Sequence, residues 1–288
     1  MFVLCGEGDE VIIPTPCWVS YSEIVKLVGA TPVYVPCAPE ENFDLNLTGI
    51  RSAISSRTKA ILINTPNNPT GAVYSEQTLR ALGELAVEHG FTIISDEIYE
   101  KMVYDGAEHI STASLSPEIY RHCITINGFS KAYAMTGWRL GYACAPETIL
   151  KQMLKIHQFA IMCAPTTSQY AAIEAIKNGD ADIEKMCKSY DQRRRFLLKK
   201  FEEIGLPCFE PHGAFYVFPC IKEFGITSDE FATRLLREEE LAVVPGTAFG
   251  DCGEGFLRIS YAYSIEQLKE AMGRLERFIG RLREQKTC

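Results

Sequence analysis

One lysine, Lys131, sits in the stretch Asn127-Gly-Phe-Ser-Lys-Ala-Tyr-Ala-Met-Thr-Gly-Trp-Arg-Leu-Gly141, just past the short apolar run Cys123-Ile-Thr-Ile126, and Arg139 follows it eight positions on. An amine at a strand end with a guanidinium close by suits a carbonyl compound that also carries a phosphate. The amine forms a Schiff base and the planar guanidinium grips the phosphate. On its own, a lysine in a Ser-Lys-Ala-Tyr turn is an ordinary solvated charge. Two upstream clusters change that reading. Ser95-Asp-Glu-Ile-Tyr99 follows the apolar run Phe91-Thr-Ile-Ile94, and Asn64-Thr-Pro-Asn-Asn-Pro-Thr-Gly71 follows Ala60-Ile-Leu-Ile63. Each run reads as a buried parallel strand bounded by turn residues. In open α/β sheets ligands bind beyond the carboxyl ends of the strands, so three polar clusters at three strand ends are expected to converge on one crevice.

The elements that must position these residues alternate along the chain. Strand-like runs at 10–13, 32–35, 59–63, 91–95, 122–127 and 140–145 are separated by helical or turn segments, a pattern that predicts a mostly parallel, helix-covered sheet. The clearest helix spans 75–89: Ser75 can cap its start, Glu76 enters its first turn and Gly90 ends it. From Pro146 the texture changes to long amphipathic helices near 147–177, 181–204 and 264–284. Between them, Gly213-Ala-Phe-Tyr-Val-Phe218 and the run from Gly255 to Tyr261 read as strands of a smaller sheet. The fold class expected is α/β, with a large domain over 1–176 and a smaller α+β C-terminal domain over 177–288. The basic run Arg193-Arg-Arg195 is expected on a solvated helix face.

The order and spacing of these blocks resemble those of the class I/II aminotransferases, the pyridoxal 5′-phosphate (PLP) dependent enzymes of fold type I in the aspartate aminotransferase superfamily. Asn-Asn-Pro-Thr-Gly, Ser-Asp-Glu-Ile-Tyr and Ser-Lys-x-x-x-Met-Thr-Gly-Trp-Arg carry the resemblance, and Gly255-Phe-Leu-Arg-Ile-Ser-Tyr261 is similar to the family's carboxylate-binding segment. The resemblance covers essentially the whole chain. It implies that Lys131 forms the Schiff base with PLP, is displaced by substrate, and then moves a proton between substrate and cofactor. It implies Asp96 facing the pyridine nitrogen, where an ionised carboxylate keeps that nitrogen protonated, and Tyr99 and Asn68 at the cofactor's phenolic oxygen. Composition does not separate Asn68 from the adjacent Asn67; the family pattern selects Asn68, which also stands among the substrate-binding residues. Trp18, in Pro14-Thr-Pro-Cys-Trp-Val-Ser-Tyr21, matches the aromatic residue that stacks on the cofactor ring. Arg139 is implied at the cofactor phosphate, and Arg258 at the substrate α-carboxylate, a task suited to a bidentate guanidinium.

The implied activity is transamination between an α-amino acid and a 2-oxo acid. A PLP-dependent C–S β-lyase and a catalytically incompetent remnant are the alternatives, and aspartate, aromatic and alanine-type donors all stay open. A nicotinamide dehydrogenase is set aside, because no Gly-x-Gly-x-x-Gly follows any strand-like run. The chain also departs from the family. The block around Trp18 falls well inside the large domain of other members, and the opening Met-Phe-Val-Leu-Cys-Gly-Glu-Gly reads as a helix end and turn, so the chain is expected to begin partway through that domain. Part of the phosphate cup thereby has no counterpart, and Gly128 stands where many members carry a phosphate-binding serine.

The bulk properties fit an enzyme of this kind. A chain of 288 residues, 47% of them hydrophobic, can bury a large core. A net charge of −8 argues against nucleic acid or anionic membrane as the main partner. The 11 cysteines are scattered without Cys-x-x-Cys or metal-ligand spacing, as reduced cysteines of a cytoplasmic protein would be. No metal is expected. No apolar stretch approaches the roughly 18 residues that span a bilayer, and the start lacks the character of a signal peptide. The partners expected are small amino and 2-oxo acids and a second copy of the chain, as a homodimer in amino-acid metabolism and biosynthesis.

Overall fold

The computed structural model describes residues 1–287. Five parallel strands and one antiparallel strand form the larger sheet: β1 (Glu10–Thr15), β2 (Thr31–Pro36), β3 (Thr58–Asn64), β4 (Thr92–Asp96), β5 (Cys123–Gly128) and β6 (Gly141–Cys144). Their spatial order is β2-β1-β3-β4-β5-β6, with β6 running against β5. The central strands are continuous apolar runs because both faces of the sheet are covered. On one face Ile12, Ile61, Ile63 and Ile93 pack with Leu79, Leu82 and Leu85; on the other Val11, Ile13, Leu62, Ile94 and Ile124 pack with Tyr21 and Val25.

The helices on this sheet are α1 (Ser20–Leu27), α2 (Leu47–Ala53), α3 (Glu76–His89) and α4 (Pro117–Arg121). Helix α3 starts and stops where its sequence says it should. The Ser75 hydroxyl accepts the Thr78 N–H, and Gly90, at φ 73°, closes the last turn with its N–H on the Ala86 carbonyl. Its buried Leu79, Leu82 and Leu85 are each worth about 1.5–3 kcal/mol against exposure.

Beyond β6 come α5 (Glu147–Ala160), α6 (Thr166–Asn178) and α7 (Asp180–Glu203). The single helix expected over 147–177 is in fact two. Pro165 cannot donate into a helix and pushes Ala164 away from helical geometry, and Met162 takes a left-handed φ of 72°. The smaller sheet comprises β7 (Tyr216–Val217), β8 (Val244–Pro245) and β9 (Leu257–Ser260), in the order β7-β9-β8, all antiparallel. Helices α8 (Ser228–Glu239) and α9 (Ile265–Thr287) pack on it. Strand β8 was not anticipated, and of the run 213–218 only Tyr216–Val217 pairs as strand.

The basic run in α7 is not a uniformly solvated face. Arg195 is exposed, but Arg194 is fully buried, donating to Asp191 Oδ1 at 2.9 Å, Glu210 Oε1 at 3.0 Å and the Pro211 carbonyl at 3.1 Å, and pairing with Asp105. It ties α7 to the segments that enter both sheets. The two sheets meet through backbone: the Ala214 N–H donates to the Met102 carbonyl, and Gly213 bridges Val103. Gly71 and Gly213 permit this approach. A Cβ on Gly71 (φ 76°) would lie 2.3 Å from Pro211 Cβ, and one on Gly213 would lie 2.4 Å from Pro66 Cβ.

Candidate active site

Four strands of the larger sheet end on one side, and each delivers part of the site: β1 leads to Trp18, β3 to Asn64–Gly71, β4 to Asp96, and β5 to Lys131. The β3 end is locked to the β4 end. The Asn64 side-chain amide donates to the Asp96 carbonyl at 2.9 Å, and Asn64 Oδ1 accepts the Asn68 N–H at 2.8 Å. The two adjacent asparagines now separate. Asn67 turns inward, its Oδ1 accepting from the Thr70 N–H and hydroxyl. Asn68 reaches toward the smaller sheet, its Oδ1 accepting from Arg258 Nη1 at 3.0 Å. That contact spans 190 positions of sequence.

Asp96 sits at the carboxyl end of β4. One carboxylate oxygen accepts the Ile98 N–H at 3.1 Å and the other accepts the Tyr21 hydroxyl at 2.6 Å. Burial raises the Asp96 carboxyl above the ordinary carboxylate range, against the lowering effect of Tyr21, the Ile98 amide and Lys131. Burial and the neighbouring Asp96 also raise the Tyr21 hydroxyl far above the usual phenol value, so Tyr21 stays protonated and donates. Sequence reading missed Tyr21. Its signal was present three residues after Trp18, where a tyrosine on the buried face of α1 has to find an acceptor. Trp18 itself is partly exposed and stands edge-to-face on Tyr21, ring centres 5.4 Å apart.

Lys131 forms no hydrogen bond or ion pair among the described residues. Its Nζ lies 5.5 Å from the centre of the Phe215 ring and 5.9 Å from that of Tyr99. Burial lowers its ammonium below the usual lysine value, Arg258 and Arg139 lower it further, and Asp96 opposes them. An amine pushed toward neutrality without a fixed partner is a nucleophile in waiting. The glycine three residues before it has a structural cause: a Cβ on Gly128 would lie 3.0 Å from Gly141 Cα and from the Leu140 carbonyl, where β5 and β6 close together. Arg139 is exposed, at a left-handed φ of 53°, with Nη1 donating to the Thr136 carbonyl at 2.8 Å.

The smaller sheet supplies the other wall. Arg258, on β9, has its guanidinium against the rings of Tyr216 and Phe249, and the Tyr99 hydroxyl lies 3.1 Å from that of Tyr216. Phe215, Tyr216 and Phe249 were not singled out in the sequence. The segment that carries Trp18 meets this wall too, since the preceding Cys17 N–H donates to the Phe249 carbonyl at 2.9 Å.

The donor set suits PLP. It offers a depressed amine for an aldehyde, a half-buried carboxylate for a pyridine nitrogen, a phenol for a phenolate and an exposed guanidinium for a phosphate. For metals the fold does what spacing did not foretell, bringing Glu97, Glu100 and His109 together. Glu97, however, is already engaged by the Ser95 and Ser111 hydroxyls, the Thr112 N–H and His109, as a structural hydrogen-bond hub would be.

Comparison with known proteins agrees with the geometry. The family model "Aminotransferase class I and II" matches residues 1–275. An aspartate aminotransferase of Pyrococcus abyssi is 47% identical over 282 residues, 97% of this chain and 72% of the relative. Aromatic-amino-acid aminotransferase 2 of Thermococcus litoralis is 44% identical over 275 residues, 95% of this chain and 70% of the relative. The crystal structure of an aromatic aminotransferase from Pyrococcus horikoshii superposes with a TM-score of 0.95 at 45% identity, covering 100% of this chain and 76% of the other.

Proposed function

This chain belongs to the class I and II aminotransferase family, and from that premise we propose that it transfers an amino group between an α-amino acid and a 2-oxo acid by a ping-pong route, with Lys131 as the Schiff-base lysine for PLP. One observation carries the reading: a lysine amine lowered toward neutrality faces the same crevice as a half-buried aspartate and a carboxylate-ready arginine.

Bound PLP supplies an electron sink for charge that develops at the substrate α-carbon. The rest falls to the chain. Arg258 grips the substrate α-carboxylate as a planar fork and Asn68 fixes the angle of that fork. Lys131 Nζ, once free of the cofactor, takes the α-proton and returns one to the other side of the reacting system. Asp96, kept as an acceptor by Tyr21, would pair with the pyridine nitrogen; Tyr99 would donate to the phenolic oxygen, Arg139 would bind the phosphate and Trp18 would cover the ring. Phe215 and Tyr99 exclude water around the amine.

The named relatives point to aspartate-type and aromatic amino donors, and we extend both classes to this chain. We place the division between the cofactor-carrying domain and the smaller C-terminal domain near residue 176; the two sheets fall on either side of it. A homodimer is supported by the apolar face that α5 and α6 leave uncovered, including Leu154, Phe159 (93% exposed), Tyr170 and Ile176. No helix among the described residues is long and apolar enough to cross a membrane. The ten free cysteines among those residues support a cytoplasmic location, and the family supports a role in amino-acid metabolism.

Product analysis tests the reading. With PLP, an amino acid and a 2-oxo acid, the expected products are the exchanged pair. Ammonia with pyruvate from a cysteine-type donor would favour β-elimination, and no turnover with either donor class would contradict the proposal.

A further inference from the structure

Tyr216 lies outside the blocks that marked the site, yet it touches both halves. Strands β7 and β9 set Tyr216 opposite Ser260, so Arg258, two residues away on β9, lies diagonally on the same face. The guanidinium carbon of Arg258 is 4.6 Å from the centre of the Tyr216 ring and 4.9 Å from that of Phe249. Among the described residues Arg258 Nε is buried with no hydrogen-bond partner, so the rings hold that end of the group while Asn68 holds Nη1. Tyr216 is itself rigidly placed. It is buried, its ring centre is 4.6 Å from that of Phe215, and the adjoining Ala214 carbonyl accepts the Tyr104 hydroxyl at 2.5 Å.

The hydroxyl end is constrained by proton count. The Tyr99 and Tyr216 hydroxyls are 3.1 Å apart and share one hydrogen bond. Tyr216 has no other hydrogen-bond partner among the described residues. If Tyr99 gives its proton to the cofactor, only Tyr216 is left to donate within the pair.

We propose that Tyr216 is a positioning residue with two separable tasks: its ring face fixes the Arg258 guanidinium for a substrate carboxylate, and its hydroxyl donates to Tyr99 so that the Tyr99 proton turns toward the cofactor. The second task rests on the PLP reading above; the first rests only on the part of that reading that makes Arg258 the carboxylate grip. A donor behind Tyr99 polarises its O–H and strengthens the bond Tyr99 makes in turn. The site thereby joins a carboxylate grip on the smaller sheet to a cofactor contact on the larger one through a single side chain.

Two variants separate the tasks. Tyr216→Phe keeps the ring and removes the hydroxyl; Tyr216→Leu removes both. Succinate binding to the cofactor-free chain, measured by calorimetry, reads the ring. The pH midpoint of the visible cofactor band in the PLP-loaded chain reads the hydroxyl. Tyr216→Leu is expected to weaken succinate about three- to thirty-fold, while Tyr216→Phe stays within about twofold of the parent. Tyr216→Phe is expected to raise the midpoint by a few tenths of a pH unit, because a less well solvated phenolate holds the neighbouring proton more tightly. Succinate binding by Tyr216→Leu equal to the parent overturns the ring task, and an unmoved midpoint in Tyr216→Phe overturns the hydroxyl task. Equal succinate losses in both variants also overturn the division, since they would indicate a merely structural role. If the parent shows no cofactor band, the PLP reading fails and takes the hydroxyl task with it, while the succinate arm still decides the ring.

Discussion

Replacing Tyr21 with phenylalanine removes one oxygen and, with it, the 2.6 Å hydrogen bond to the half-buried Asp96 carboxylate. A hydrogen bond to a charged acceptor is worth about 1.5–3 kcal/mol, and a neutral pair about 0.5–1.5 kcal/mol. The loss therefore depends on whether Asp96 is ionised. Burial already raises this carboxyl above its ordinary value. Between the ordinary value and the raised one, the folded chain binds a proton that the unfolded chain does not, so stability falls as pH rises through that window. Losing the Tyr21 donor pushes the folded value higher and widens the window. Tyr21→Phe should thus cost about 1.5–3 kcal/mol at a pH above that window, where Asp96 is ionised, and about 0.5–1.5 kcal/mol at a pH within it, where Asp96 holds its proton. Urea unfolding of the cofactor-free parent and variant at the two pH values gives the comparison directly. Equal losses at both would show that Tyr21 acts only through packing. No loss at either would show that the bond is not made.

Two other substitutions probe the junction that shapes the site. Gly71→Ala places a Cβ 2.3 Å from Pro211 Cβ at a φ of 76°, and should lower stability by about 1–3 kcal/mol from backbone strain alone, with more from the clash. A melting temperature within a degree or so of the parent would contradict the close approach. Arg194→Leu removes a fully buried guanidinium from Asp105, Asp191 and Glu210, and should cost about 3 kcal/mol. The acids left behind are partly solvated, so the cost should lie toward the low end of the range for a broken buried pair. A neutral effect on urea unfolding would show that these buried ion pairs add no net stability.

Much of the site could be read from the sequence because its chemistry is concentrated at strand ends. Asn64–Gly71, Asp96 and Lys131 each follow an apolar run short enough to be a strand, and the parallel sheet brings those ends together. What the sequence left hidden was contact between distant residues. Tyr21 meets Asp96 across 75 positions, and Tyr99 meets Tyr216 across 117; neither tyrosine at the far end carries a local mark of its partner. Arg194 read as surface because its helix is polar overall, and only the fold shows that three acids and a carbonyl surround it. The break between α5 and α6 falls at Pro165, a signal that the reading of one helix over 147–177 did not use. Strand β8 has two residues, too few for any periodicity to show.

The central claim is that Lys131 anchors PLP in the crevice these elements build. Titrating the 288-residue chain with PLP, beside a Lys131→Ala control, tests it most directly. A saturable visible band in the parent that is absent from the control is the predicted result. A folded parent that gives no band, or a control that gives the same band, would contradict it.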